Sequence, residues 1–212
     1  YLFFDKLSDL TKSNDIIIPD ASANLVWTYQ SYKSNKNQKI FTALNHSPMG
    51  YSVAAAIGPA LITKKNNVIA IIGDGSMQMN IQEIENIKNF NLPIKIFLIN
   101  NFGYGMVKQT IDTWLKGNYV GCDKDSGLSL PNFSDVFESY GIKTLKINNH
   151  NEMHDGIQKC LDFNGPIMCE VMVEANQHII PKTKAGSPLY DMIPKIDEEE
   201  LASNIINLNE NE

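Results

Sequence analysis

The sequence predicts an α/β protein, a three-layer α/β/α arrangement around a mostly parallel sheet of about six strands. Three observations lead there. The 212-residue chain is 43% hydrophobic and 20% charged, the composition of a domain with a good core. Short apolar runs alternate with stretches of helical period. The stretch Val68–Val107 holds a complete strand–helix–strand unit, and such a crossover makes its two strands parallel.

Each element has its own reason. Residues 2–12 have the apolar spacing of a short amphipathic helix. Ile16–Ile18 is a strand that ends in the turn Pro19-Asp20-Ala21-Ser22-Ala23-Asn24. Tyr51–Ile62 is a helix whose small residues, Ala54, Ala55, Ala56 and Gly58, permit close packing. Val68–Ile72 is a buried strand broken by Gly73-Asp74-Gly75-Ser76. Ile81, Ile84 and Ile87 then mark one face of a helix, and Asn91-Leu92-Pro93 stops it, because proline cannot continue a helix. Ile94–Ile99 is the next buried strand. It runs into Asn100-Asn101-Phe102-Gly103-Tyr104-Gly105. Residues 111–130 read as a polar loop. Residues 132–140 form a helix with Phe133, Val136, Phe137 and Tyr140 inward, and Gly141 ends it. Thr144–Ile147 is a strand, 150–162 a helix, and Ile167–Val173 an apolar strand, the fifth or sixth of the sheet. Residues 1–180 then make one domain. Residues 181–212, rich in proline and charge, are a tail that packs on the surface or is disordered.

Composition excludes several functions. A net charge of −6 and a pI near 5.2 argue against nucleic acid as a partner. No apolar run approaches the ~20 residues of a membrane helix, and no signal peptide is visible. Cys122, Cys160 and Cys169 include no CxxC pair, which fits reduced thiols in the cytoplasm and no zinc or iron–sulfur site. His150 and His154 stand at i and i+4 without a third ligand and read as solvated. The chain opens on Tyr1 rather than methionine, so a fragment of a longer protein is expected.

The chemistry concentrates in the two glycine-rich turns. Ligands of parallel sheets bind at the carboxyl ends of the strands, where both turns lie. Gly73 and Gly75 let backbone N–H groups approach a phosphate at a helix N-terminus. Asp74 between them repels bare phosphate, unless a divalent cation stands between the two. Mg²⁺ or Ca²⁺ takes carboxylate, amide, carbonyl and phosphate oxygens, and Asn101 with the Gly103 carbonyl offers the remaining protein donors. As alternatives, Asp74 is a turn former and Ser76 merely starts a helix. Glu83 reads as a structural hydrogen-bonder and Glu85 as solvated surface.

GDG at 73–75 followed by Asn100-Asn101, with Asp74 and Asn101 27 positions apart, resembles the thiamine diphosphate motif. The flanking SMQMNIQEIENI and NNFGYGMVKQ resemble the acetolactate synthase group, as do DASAN at 20–24, SPMGYSVAAAIG at 47–58 and the DMIPKIDEEE tail. The resemblance implies the thiamine diphosphate-binding fold, with thiamine diphosphate and Mg²⁺ (or Ca²⁺) as cofactors. It implies a C-terminal cofactor-binding domain acting on 2-oxoacids, by decarboxylation or carboligation through a thiazolium enamine. Asp74, Asn101 and Gly103 would hold the metal. Ser22, Asn24, Ser47, Met49, Gly73, Gly75, Ser76 and Tyr104 would face the cofactor, with Met49 wedged between its two rings. Ser22 stands where the family usually has glycine, and Asn24 where histidine is common. A helix N-cap is the alternative role for Ser22, and core filling for Met49. His46 reads as a turn residue.

Met106 and Val107 would line the substrate pocket, and Met106–Gln109 would open a helix or flap over the thiazolium, with residues 111–130 closing the site. Valine stands at 107 where decarboxylase-type relatives carry a catalytic glutamate. Thr110 replaces a tryptophan that in acetolactate synthases helps choose the second oxoacid, which leaves the acceptor substrate open. The glutamate that activates the cofactor belongs to a pyrimidine-binding domain, which no segment here resembles. The resemblance therefore implies such a domain in the same full-length protein or a partner subunit, a homodimer or tetramer, and no catalytic residue or activity in this chain alone. The β subunit of a two-chain sulfopyruvate- or phosphonopyruvate-type decarboxylase, and a phosphate-binding module that has lost catalysis, are the alternatives.

Overall fold

The computed structural model describes residues 1–35, 37–63, 67–183 and 186–204; residues 205–212 of the anticipated tail lie outside them. The strands β1 (Ile16–Pro19), β2 (Lys39–Ile40), β3 (Val68–Gly73), β4 (Ile94–Asn100), β5 (Lys143–Ile147) and β6 (Ile167–Met172) form one six-stranded sheet in the order β2-β1-β3-β4-β6-β5. Every pairing in it is parallel. The central strands β3 and β4 are buried almost throughout and, apart from Lys95 and the terminal Asn100, apolar, as helices on both sides require. The predicted fold class therefore holds.

The helices are α1 (Leu2–Leu10), α2 (Ser22–Ser31), α3 (Tyr51–Ile62), α4 (Asp74–Met77), α5 (Glu83–Asn89), α6 (Gly105–Trp114), α7 (Phe133–Ser139) and α8 (His150–Asp162). On one sheet face, Val53, Ala56 and Ala60 of α3, Ile84 and Ile87 of α5, and Phe133 and Phe137 of α7 pack on Ile18, Ala70, Ile72, Ile96 and Leu98. The alternate strand residues face α1, α2 and α8; the Phe3 ring meets Phe97 edge-on at 5.4 Å.

Three local expectations change. The stretch after Gly73-Asp74-Gly75 is two helices, α4 and α5, rather than one. Bonds three residues apart, Met79 N–H to Ser76, Glu83 N–H to Asn80 and Ile84 N–H to Ile81, tighten the segment between them. The short edge strand β2 was not anticipated; two residues are too few for a periodic signal. The predicted loop at 111–130 begins too early, because α6 runs to Trp114. Ile111 is buried, and the Leu115 N–H still closes on its carbonyl.

The chain divides into two units, Tyr1–His178 and Ile179–Glu212. In the second, β7 (Lys182–Thr183) pairs antiparallel with β8 (Met192–Ile193), and α9 (Glu198–Asn204) follows. Among the described residues no helix is long and apolar enough to cross a membrane.

Candidate cofactor site

Parallel pairing places the carboxyl ends of β1, β3 and β4 side by side. The chain steps from β1 outward to β2 and then back across to β3, so the direction of winding reverses between β1 and β3, where open α/β sheets leave a crevice. One cleft opens there. Ser22, Asn24, Met49, Gly73, Asp74, Gly75, Ser76, Asn101, Gly103, Tyr104, Met106 and Val107 all line it. Of the residues assigned from the sequence to the cofactor, the metal or the substrate pocket, Ser47 alone stands outside the lining.

Asp74 is the centre of the cleft. It is 2% exposed. Its Oδ1 accepts the Gly75 N–H at 2.7 Å and its Oδ2 the Gly103 N–H at 2.9 Å. One carboxylate thus ties the turn after β3 to the turn after β4. Burial lifts its pKa from the ordinary 3.8 to about 6, against the opposing pull of the N–H groups of Gly75, Gly103, Phe102 and Asn101. No ion pair among the described residues offsets this burial. A divalent cation would, and Asn101 and Gly103, which carry the hard oxygens such an ion takes, line the same cleft. Among the described residues no three His, Cys, Asp or Glu side chains gather as a metal cluster, so a cation here would rely on amide, carbonyl and phosphate oxygens beside the single acid. His150 and His154 are both exposed.

Two buried polar atoms at the cleft lack a hydrogen-bond partner, Asn24 Oδ1 and Trp27 Nε1. Such atoms are costly to leave unpaired, and both residues line the cleft. Ser22 is not a helix N-cap: Ala21 takes that place and makes no side-chain cap. Ser22 instead adopts φ +60°, a left-handed conformation that serine rarely takes. Gly75 has a second reason to be glycine besides phosphate approach, since a Cβ there would overlap the Tyr104 ring. Asn101 likewise lies against Gly105, where a Cβ would overlap its amide.

Beside the cleft, Val107 is 46% exposed, and the Thr110 hydroxyl turns back to donate to the Met106 carbonyl at 2.8 Å. The segment following α6 is strapped to the second turn. The Tyr104 N–H donates to the Cys122 carbonyl at 2.8 Å, and Lys108 Nζ pairs with Asp123 at 3.0 Å.

Sequence reasoning missed two residues here. Trp27 lines the cleft, yet an apolar residue in a helix carries no signal beyond core. Asp20 is fully buried and accepts the N–H groups of Gly50 at 3.1 Å and Ser52 at 2.8 Å. Burial raises its pKa; those two bonds and the Ser76 hydroxyl oppose the rise. An acid at a strand's carboxyl end, facing a helix that has none in its own first turn, was the available signal.

Comparison with known proteins agrees with this geometry. The family described as "Thiamine pyrophosphate enzyme, C-terminal TPP binding domain" matches residues 20–171. The chain is 34% identical over 195 residues to acetolactate synthase 1, chloroplastic, of Nicotiana tabacum, which covers 90% of this chain and 29% of that protein. It is 31% identical over 188 residues to the acetolactate synthase large subunit of Lactococcus lactis, covering 88% of this chain and 32% of the relative. The chain thus spans about 30% of the length of these relatives. It belongs to the thiamine pyrophosphate enzyme family, as an acetolactate synthase-like C-terminal TPP-binding domain.

Proposed function

We propose that this chain is the cofactor anchor of a thiamine diphosphate-dependent enzyme that acts on 2-oxoacids, and that it grips the diphosphate through Mg²⁺. The buried Asp74 carboxylate carries the reading: it joins two strand-end turns and lacks a cationic partner among the described residues. Asp74, the Asn101 amide and the Gly103 carbonyl would hold the cation. Ser22, Asn24 and the N–H groups around Gly73–Ser76 would face the phosphates, and Met49 would stand against the rings. When bound, thiamine diphosphate supplies the electron sink for decarboxylation or carboligation. Val107 and Met106 would bring only apolar surface to the reacting end, and neither can move a proton there. They exclude water and shape the space for the oxoacid. The similarity to much longer acetolactate synthases supports a pyrimidine-binding domain elsewhere in the same protein; assembly as a homodimer or tetramer belongs to the same reading. Three free cysteines, all buried, favour a reducing compartment such as the cytoplasm.

Calorimetry on the full-length protein tests the reading. Thiamine diphosphate binds in the presence of Mg²⁺, binds weakly after chelation, and binds weakly to Asp74→Ala. Binding indifferent to Mg²⁺ and to that substitution overturns it. A panel of 2-oxoacids with product analysis then identifies the substrate.

A further inference from the structure

We propose that Asp20 is a positioning residue that sets where the Met49 side chain stands in the cleft. The inference rests on the reading that this cleft holds thiamine diphosphate with Met49 against it. Asp20 does not line the cleft. It acts through the backbone. Its Oδ2 accepts the Gly50 N–H at 3.1 Å, and that N–H belongs to the peptide unit joining Met49 to Gly50. That planar unit includes the Met49 Cα, so holding it in place fixes the point from which the Met49 side chain leaves the chain. Its Oδ1 accepts the Ser52 N–H at 2.8 Å, so one carboxylate holds two donors at the start of α3.

The far side of the same turn is held as well. Asn80 Nδ2 donates to the Gly50 carbonyl at 3.0 Å. Gly50 adopts φ +87°, and a Cβ there would lie 3.0 Å from both Met79 Cβ and Asn80 Nδ2. The residue after Met49 is thus gripped at its N–H from the β1 end and at its carbonyl from the segment after α4. The Thr42 hydroxyl in turn bonds the Asp20 carbonyl at 3.0 Å. No ion pair among the described residues neutralises Asp20, and an unpaired buried carboxylate is costly. The N-terminus of α3, which has no acid in its first turn and no side-chain cap, offsets part of that cost.

The test compares four full-length proteins: wild type, Asp20→Asn, Met49→Ala and the double variant. Two quantities are read, thiamine diphosphate affinity with Mg²⁺ and the rate of deuterium exchange at the thiazolium C2–H by NMR. That exchange depends on holding the two rings in the reactive arrangement. Asp20→Asn slows exchange by roughly tenfold, the loss of one charge-assisted bond, while affinity changes by less than about threefold. In the Met49→Ala background the same substitution adds no further slowing, because the side chain it positions is gone. Exchange at the wild-type rate in Asp20→Asn, or additive effects in the double variant, overturns the inference. Should Asp20→Asn fail to fold, Asn80→Ala removes the opposite grip and carries the same expectations. Wild-type protein that does not bind the cofactor at all overturns the underlying reading, and the inference with it.

Discussion

The two ends of the central sheet bury charge in opposite ways. At the amino end, Lys95, the second residue of β4, is 2% exposed. Its ammonium group donates to the Phe163 and Gly165 carbonyls, the latter at 3.1 Å. Burial lowers its pKa, yet the chain itself supplies the partners. At the carboxyl end, Asp74 is buried without an ion-pair partner among the described residues, and Asn24 Oδ1 and Trp27 Nε1 lack hydrogen bonds. Buried polar groups are normally satisfied. Where the chain completes its own bonds, the charge serves the fold; at the cleft, on the function proposed above, the incomplete ones are kept for a ligand.

The strongest way to break this contrast is at the amino end. Lys95→Ala leaves two carbonyls without a donor, at about 1–3 kcal/mol each. It is expected to lower the unfolding free energy by about 4 kcal/mol in denaturant titrations, with thiamine diphosphate affinity unchanged. A weakened affinity at intact stability would place function at the wrong end of the sheet. Asp74→Asn inverts the result: roughly hundredfold weaker Mg²⁺-dependent binding, for loss of a charged ligand worth about 1.5–3 kcal/mol, with stability preserved or raised. Calorimetry and thermal unfolding of the same sample separate the two.

The acid sharpens the comparison further through pH. The folded state holds the Asp74 proton more tightly than the unfolded chain, since its pKa rises from 3.8 to about 6. In metal-free protein this group therefore favours folding fully below its ordinary value, and the advantage is lost as pH rises through about 6. Its size is about 2–3 kcal/mol at 1.36 kcal/mol per unit. The difference in stability between wild type and Asp74→Asn should change in wild type's disfavour between pH 4 and about 7, and Mg²⁺ with thiamine diphosphate should reverse that change at neutral pH. A difference that is flat across this range would show that the burial of Asp74 costs nothing.

The amino end and the carboxyl end also differed in how readable they were. Strands β1, β3, β4 and β6 announce themselves as apolar β-branched runs, so sheet and class followed from the sequence. The carboxylate and the amide 27 positions apart could be placed together because a βαβ crossover puts consecutive strand ends side by side. What stayed hidden depended on contacts between distant residues. Asp20 meets Gly50 and Ser52 across 30 and 32 positions, and Lys95 meets Gly165 across 70. The break between α4 and α5 was equally invisible, since Ile81, Ile84 and Ile87 keep a helical spacing while Asn80 reaches away to Gly50.

Ser22 offers the smallest and most discriminating test. It holds φ +60°, a conformation costing a side-chain-bearing residue roughly 1–2 kcal/mol, at a position where glycine is usual in the family it resembles. The cap of α2 does not use its hydroxyl. Ser22→Gly should therefore relieve strain and raise stability by about 0.5–1 kcal/mol. If the hydroxyl faces phosphate, the same change weakens thiamine diphosphate binding by roughly three- to tenfold, one hydrogen bond's worth. Opposite signs for stability and affinity mean that strain is retained at the carboxyl end for the ligand's sake, just as the charge of Asp74 is. Gains in both would reduce Ser22 to a tolerated departure and confine the incomplete region to Asp74, Asn24 and Trp27.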